Sequence, residues 1–308
     1  MSKIEEIASV HLGKAGDGSV VKPYITPDII DPTLLVGIPR ILNRTAYNID
    51  DNDLPFVGSD TWNCYEFSTL ADNGFPVSGV IRIVYPSDSP NIVESKSLKL
   101  YLNSFNMHKC GPTFWDVTDF VEDKINTDLS KALGTSLIDV AFLHSGDGVK
   151  PPVANIFQTV EDSVAAYDLT FDHYNEDPNI LKIIEHDNNK WVFHHSGELR
   201  SNCRVTNQPD WGDVYIVISG KKQITEESLL QYIVSMRKEN HFHEEICECI
   251  YKRLWDLLKP EELLVACLYT RRGGIDINPV RGTSKAIINT YARNLVNAFV
   301  LNEKTLRQ

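Results

Sequence analysis

Two hydrophobic rhythms alternate along this chain, and their order occurs twice. In the first half, Trp62 to Leu70 and Val80 to Tyr85 read as strands, parted by a turn at Asp72-Asn73-Gly74. A helix carrying Leu98, Tyr101, Leu102 and Phe105 follows, then one carrying Val117, Phe120, Val121, Ile125 and Leu129. Ser136 to Leu143 returns as a strand. The second half repeats the order. Asn202 to Thr206 and Val214 to Ile218 read as strands, Leu229 to Met236 as a helix, and Ile246, Ile250, Leu254, Leu257 and Leu258 as the stripe of another, stopped by Pro260. Leu264 to Tyr269 closes the set as a strand.

Two copies of strand-strand-helix-helix-strand predict an α+β protein of two similar modules, antiparallel sheets with helix pairs on one face. Prolines at 151, 152 and 178 mark the joint within Asp147 to Pro178, and the division falls at 1–172 and 173–308. Within the joint, Ala165 to Phe171 has strand-like composition.

Composition narrows the function. A chain of 308 residues, 42% hydrophobic, builds substantial cores and excludes a disordered class. Met1 to Val10 contains Glu5 and Glu6 and lacks the basic start of a secretory signal, and no apolar run approaches the roughly 20 residues of a spanning helix. A cytoplasmic protein without a membrane partner is expected. Six scattered cysteines suit reduced thiols better than a disulfide framework. A net charge of −12 disfavours a broad grip on nucleic acid and favours a small-molecule substrate.

Candidate chemistry gathers at a few segments. Cys203 stands in the polar stretch Ser201 to Gly212, flanked by Arg200 and Arg204, which favour a thiolate, with Asp210 across the Asn207-Gln208-Pro209 turn. It reads either as a nucleophile with a carboxylate partner or as a small buried hydrophobe beside a β-turn. Glu244 and Glu245 open a helix as first-turn carboxylates, or His243 and Glu244 recognise the N–H edge of a guanine-like base. His241 and His243 with a glutamate are a weak metal signal without a second ligand pair, and His194-His195 is ambiguous. Cys247 and Cys249 read as core residues. Ser95 reads as a helix cap, leaving Lys96 and Lys99 for phosphate or for solvent. Thr270 to Pro279 carries Arg271, Arg272, Gly273 and Gly274, either a phosphate-gripping loop or a plain glycine turn.

Taken together, Leu35 to Arg44, Leu54 to Phe56, Glu94 to Phe105, Ser201 to Cys203, Gln208 to Gly212, Phe242 to Glu244 and Tyr269 to Pro279 resemble the 7-cyano-7-deazaguanine reductases, nitrile reductases of the queuosine pathway of transfer-RNA modification, in their two-module form. The resemblance spans most of the chain but fades over Asp147 to Trp191, and Arg204 follows the cysteine where an apolar residue is usual. It implies two tandem tunnelling-fold modules and a homodimer. It assigns Cys203 as the nucleophile that forms a thioimide and Asp210 as the proton donor. Val93, Glu94, Ser95, His243 and Glu244 would contact the deazapurine, and Ser95, Lys96, Arg272 and Gly273 would meet NADPH, with no metal required. Rival readings are a zinc-dependent pterin enzyme of the same fold, an amidine-forming relative, and a non-catalytic deazapurine binder.

Overall fold

The computed structural model describes residues 27–144, 149–164, 166–204, 206–305 and 308. Met1 to Val10, Asp147, Ala165 and Val205 lie outside the described residues. In chain order the principal elements are β1 (Gly37–Pro39), β2 (Val57–Leu70), β3 (Pro76–Pro86), β4 (Asn91–Val93), α1 (Ser95–Asn103), α2 (Phe114–Leu133), β5 (Asp139–Leu143) and β6 (Gln158–Thr159). They continue with β7 (Ile183–Cys203), β8 (Pro209–Ile224), α3 (Glu226–Ser235), β9 (Asn240–His241), α4 (His243–Leu258), β10 (Glu262–Tyr269), β11 (Ile275–Gly282) and α5 (Lys285–Tyr291).

The helices form where a stripe and caps coincide. In α2, Val117, Val121, Ile125, Leu129 and Leu133 repeat every four residues and are fully buried. The Thr113 hydroxyl accepts from the Asp116 N–H at its start, and Gly134 ends it with φ 72°. Truncating one such residue, Leu129→Ala, costs about 2–5 kcal/mol. In α4, Ile246, Ile250 and Leu254 are fully buried and Leu258 nearly so, and Lys259 closes the helix in the left-handed conformation.

One sheet carries both halves of the chain. Its order is β9-β7-β8-β10-β11-β2-β3-β5, with β6 paired beside β7. All neighbours from β7 to β5 are antiparallel, so the sequence expectation of a mixed α+β protein with antiparallel strands holds. The halves meet where β11 pairs with β2, Ile277 opposite Trp62. One core lies beneath α1 and α2 and includes Trp62, Leu98, Tyr101 and Val121; a second lies beneath α3 and α4. The second core also takes in Tyr47, Ile49 and Phe56 from the first half and Val160 and Val164 from the joint.

Four local expectations are corrected. Asn202 to Thr206 is not a strand in itself: Asn202 and Cys203 end the 21-residue β7, and Arg204 already lies in a turn. Ala166 to Asp168 forms a 3-10 turn rather than strand, since local propensity there yields to packing against α3. Ser95 does not cap α1. Glu94 does, its carboxylate accepting from the Ser97 N–H at 2.7 Å, and Ser95 becomes the first helical residue. Within Thr270 to Pro279, Ile275 onward is strand, paired with β2; pairing with β10 begins at Val280.

Candidate functional site

The long β7–β8 hairpin positions the reactive pair. Ser201 and Asn202 lie opposite Asp210 and Pro209, so the tip holds Cys203 as the last residue of one strand and Asp210 as the second of the next. The Cys203 N–H donates to the Gln208 carbonyl at 2.8 Å, the Asn207 N–H donates back to the Cys203 carbonyl at 2.9 Å, and Asn207 takes φ 54° to close the turn. Leu199, Ser201 and Cys203 alternate with less buried residues, so the thiol is carried on the inward face of its strand. β9 completes the setting from the other side, with His241 in register with Cys203.

Asp210 is buried, 3% exposed, and sits between His243 and Arg272. His243 Nε2 lies 3.4 Å from one carboxylate oxygen, and the Arg272 guanidinium donates to the other. Burial alone would push this carboxyl up, but His243 and Arg272 outweigh it and hold it below the ordinary carboxylate range. Arg272 is in turn held above its ordinary value: burial opposes the cation, while Asp210 and then Cys203 favour it. The flanking arginines have other partners. Arg200 donates to the Arg237 carbonyl and stacks near Trp211, and Arg204 turns to Glu245, Asn43 and His241. Arg200, three residues before Cys203 on the same strand, is carried on the opposite face. Arg272, 69 residues further along, supplies the local positive charge instead.

His243 is the first residue of α4 and lies flat on Tyr269, ring centroids 3.9 Å apart and 9° from parallel. Glu245 accepts from the Phe242 N–H at 2.9 Å, satisfying the helix start. That leaves Glu244 free of a capping role. Its side chain is buried, its Oε1 has no hydrogen-bond partner among the described residues, and burial, with Asp60 nearby, raises its carboxyl to about 8. His243 Nδ1 and Trp62 Nε1 are likewise buried without partners among the described residues. Polar atoms left so are costly and point to a missing partner.

These groups surround one cavity of about 250 Å³. Every residue to which the family resemblance gives a role lines it: Val93, Glu94, Ser95 and Lys96 from β4 and α1, Cys203 and Asp210 from the hairpin, His243 and Glu244 from α4, and Arg272 and Gly273 from the β10–β11 turn; Arg200, Arg204, Glu245, His194, His195, Arg271 and Gly274 do not. Both halves of the chain therefore contribute. Sequence reasoning missed the apolar wall, Trp62, Phe242, Ile275 and Ile277, as well as Gln208. The alternation of Ile275 and Ile277, with Trp62 opposite the latter, was the available signal once β11 is known to be a strand. Flat apolar walls with one orphaned carboxylate at the end suit a planar heterocycle that presents N–H donors.

One rim of the cavity is cationic. Lys96, Lys99 and Arg272 line it beside Gly273, and Lys99 Nζ donates to the Gly273 carbonyl and to Glu66. Gly273 and Gly274 take φ 58° and 79°, and a Cβ on Gly274 would stand 2.4 Å from Glu66 Cδ. Three cations and a glycine turn, in a chain of net charge −12, suit an anionic dinucleotide such as NADPH. Among the described residues no cluster of His, Cys, Asp and Glu is arranged to hold a metal ion, and no helix is long and apolar enough to cross a membrane.

Comparison with known proteins agrees with this chemistry. The family model described as nitrile reductase, 7-cyano-7-deazaguanine-reductase N-term, matches residues 27–141, and one described as QueF-like protein matches residues 209–287. A protein of Chromohalobacter salexigens named NADPH-dependent 7-cyano-7-deazaguanine reductase is 40% identical over 257 residues, covering 83% of this chain and 88% of its own. One of the same name from Dechloromonas aromatica is 42% identical over 252 residues, covering 82% and 85%. A solved archaeosine synthase QueF-Like, in the apo form, aligns with 32% of this chain and 95% of its own at 14% identity and a TM-score of 0.28. On the family models and the curated relatives, the chain belongs to the 7-cyano-7-deazaguanine reductase family.

Proposed function

We propose that this chain reduces the nitrile of 7-cyano-7-deazaguanine to the primary amine, 7-aminomethyl-7-deazaguanine, with NADPH as reductant. The observation that carries the reading is the convergence of Cys203, Asp210 and the unpartnered Glu244 on one cavity with a cationic rim. Ser95, Lys96, Arg272 and Gly273 would hold NADPH, which would supply one hydride per molecule, two molecules in succession meeting the need of a nitrile-to-amine reduction.

The chain's own residues make the nitrile reducible. Glu244, with His243 and the Val93 to Ser95 segment, holds the heterocycle so that its nitrile points toward Cys203. Cys203 Sγ adds to the nitrile carbon: a C–S bond forms, one C–N π bond opens, and the nitrogen needs a proton. Asp210, ionised beside His243 and Arg272, takes the thiol proton and returns it to that nitrogen, giving a neutral thioimide. When the C–S bond later breaks, Arg272 stabilises the departing thiolate. The apolar wall of Trp62, Phe242, Ile275 and Ile277 keeps water from the C=N carbon, which hydrolysis would divert.

The same reading takes the two halves as tandem tunnelling-fold modules in a cytoplasmic homodimer. The pairing of the halves along β2 and β11 and the net charge of −12, which suits a free base better than a nucleic acid, support it. The direct test follows NADPH oxidation with 7-cyano-7-deazaguanine as the limiting reagent. Two NADPH consumed per nitrile, with the amine as product, is expected; no oxidation above the substrate-free rate overturns the reading. An amidine-forming relative would consume none.

A further inference from the structure

Beneath the cavity floor lies a closed ionic network. Arg281, on β11, reaches Asp60 at 2.8 Å and Glu248 at 2.9 Å. Arg40 holds Asp60 at 2.6 Å, and Arg44 holds Glu248 at 2.7 Å and Asp51 at 2.8 Å. Three guanidinium groups thus meet three carboxylates, and all but Asp51 are at least nine-tenths buried. Glu244 is a fourth carboxylate, one helical turn before Glu248 on the same face of α4. It makes no ion pair among the described residues; the residue lines the cavity, and its Oε1 is buried without a partner among them. An ionised carboxylate there would be surplus charge in a buried setting whose cations are already matched.

We infer that Glu244 carries a proton while the cavity is empty and releases it to solvent when a planar base with two adjacent N–H donors binds, with Asp60 as the positioning residue that sets this exchange. The inference rests on the substrate reading above and adds a proton to its binding step. A neutral carboxylic acid offers one acceptor and one donor; two N–H groups side by side require the ionised form, which offers two acceptors. The groups around Glu244 fit this role. Asp60 on β2 repels its charge, while Arg40 and Arg281 oppose that repulsion without overcoming it. Tyr85 on β3 and Tyr269 on β10 are neutral, because burial pushes both phenols well above their ordinary value. On the cavity side, Asp210 stays ionised beside His243. With the Glu244 carboxyl at about 8, binding at neutral pH must remove a proton from nearly every molecule.

The test is calorimetric titration of 7-cyano-7-deazaguanine into the full-length Cys203→Ala protein, which binds without covalent chemistry. Titrations run in buffers of different ionisation enthalpy, from pH 6 to 9. Expected are release of close to one proton at pH 7, little release at pH 9, and a dissociation constant about tenfold tighter at pH 9 than at pH 7. In the added Glu244→Gln variant, binding weakens, release disappears and the affinity no longer follows pH. Asp60→Asn, if it folds, shifts the midpoint of release to lower pH, a displacement that a purely structural role would not produce. Binding at pH 7 without proton release, or release that survives Glu244→Gln, overturns the inference alone. Absence of any binding overturns the substrate reading, and the inference with it.

Discussion

Replacing Asp210 by Asn separates proton handling from everything else in the cavity. The amide has nearly the shape of the carboxylate, can still accept from Arg272, and cannot take the thiol proton. Asp210 is buried and held by Arg272 and by His243 at 3.4 Å, so its carboxylate is fixed beside the thiol at the hairpin tip. General acid–base catalysis by one positioned group contributes about 10²–10⁴-fold, or about 3–5 kcal/mol of barrier. Thioimide formation should slow by that factor. Folding should weaken by no more than about 3–5 kcal/mol, the range for removing one partner of a buried pair, because Arg272 is partly exposed and can be hydrated, and a thermal melt of the variant checks that it stays folded. The assay quenches enzyme mixed with 7-cyano-7-deazaguanine at timed intervals, without NADPH, and reads the adduct by intact mass. Affinity for the nitrile, measured separately, should change far less than the rate. If Asp210→Asn forms the adduct within about threefold of the parent rate, a barrier difference under about 1 kcal/mol, Asp210 is not the proton carrier.

Three further perturbations test neighbouring parts of the account. Asp210 owes its low pKa, against the upward push of burial, first to His243 and then to Arg272, so Arg272→Met should let it rise and move the acid limb of adduct formation to higher pH; an unmoved limb refutes the pairing. Gly274→Ala places a Cβ at positive φ and displaces Glu66 from Lys99, and should cost about 1 kcal/mol of stability while weakening NADPH binding more than nitrile binding, as read by cofactor fluorescence titration. Burial holds the His194 imidazole down to about 4, so the stability it contributes is complete above its unfolded value near 6.5 and is lost as pH falls toward 4. Denaturant melts should show about 2 kcal/mol of that loss by pH 5, reduced in His194→Gln; an unchanged acid slope in the variant would assign the loss to other groups.

How much the sequence revealed varied with the length scale of each signal. The α2 and α4 stripes repeat over several turns, so periodicity found them without help. The cavity residues were legible because each sits in a short motif, and every one given a role by the family resemblance lines the same space. Relations between distant segments were not legible. Arg200 and Arg204 flank Cys203 in sequence but are held by other partners, while Arg272 reaches it through the pairing of β8 with β10. The early part of β7, from Ile183 to Trp191, is mostly exposed and polar, so it carries no alternation to mark it as strand. Glu94 displaced Ser95 as the α1 cap because a glutamate is an uncommon cap, chosen here by its contact with Ser97. The buried network of Arg40, Arg44, Arg281, Asp60 and Glu248 joins positions more than 200 residues apart, and nothing local announces it.

The central claim is that Cys203 forms a covalent bond with the nitrile carbon inside this cavity. Incubating the protein with 7-cyano-7-deazaguanine in the absence of NADPH, then mapping the modified peptide by mass spectrometry, tests it most directly. The account predicts a mass increase equal to the intact nitrile, located on Cys203, lost in Cys203→Ala and discharged as the amine when NADPH is added. A parent protein that stays unmodified while still oxidising NADPH with the nitrile, or a Cys203→Ala variant that reduces it at the parent rate, would contradict the claim.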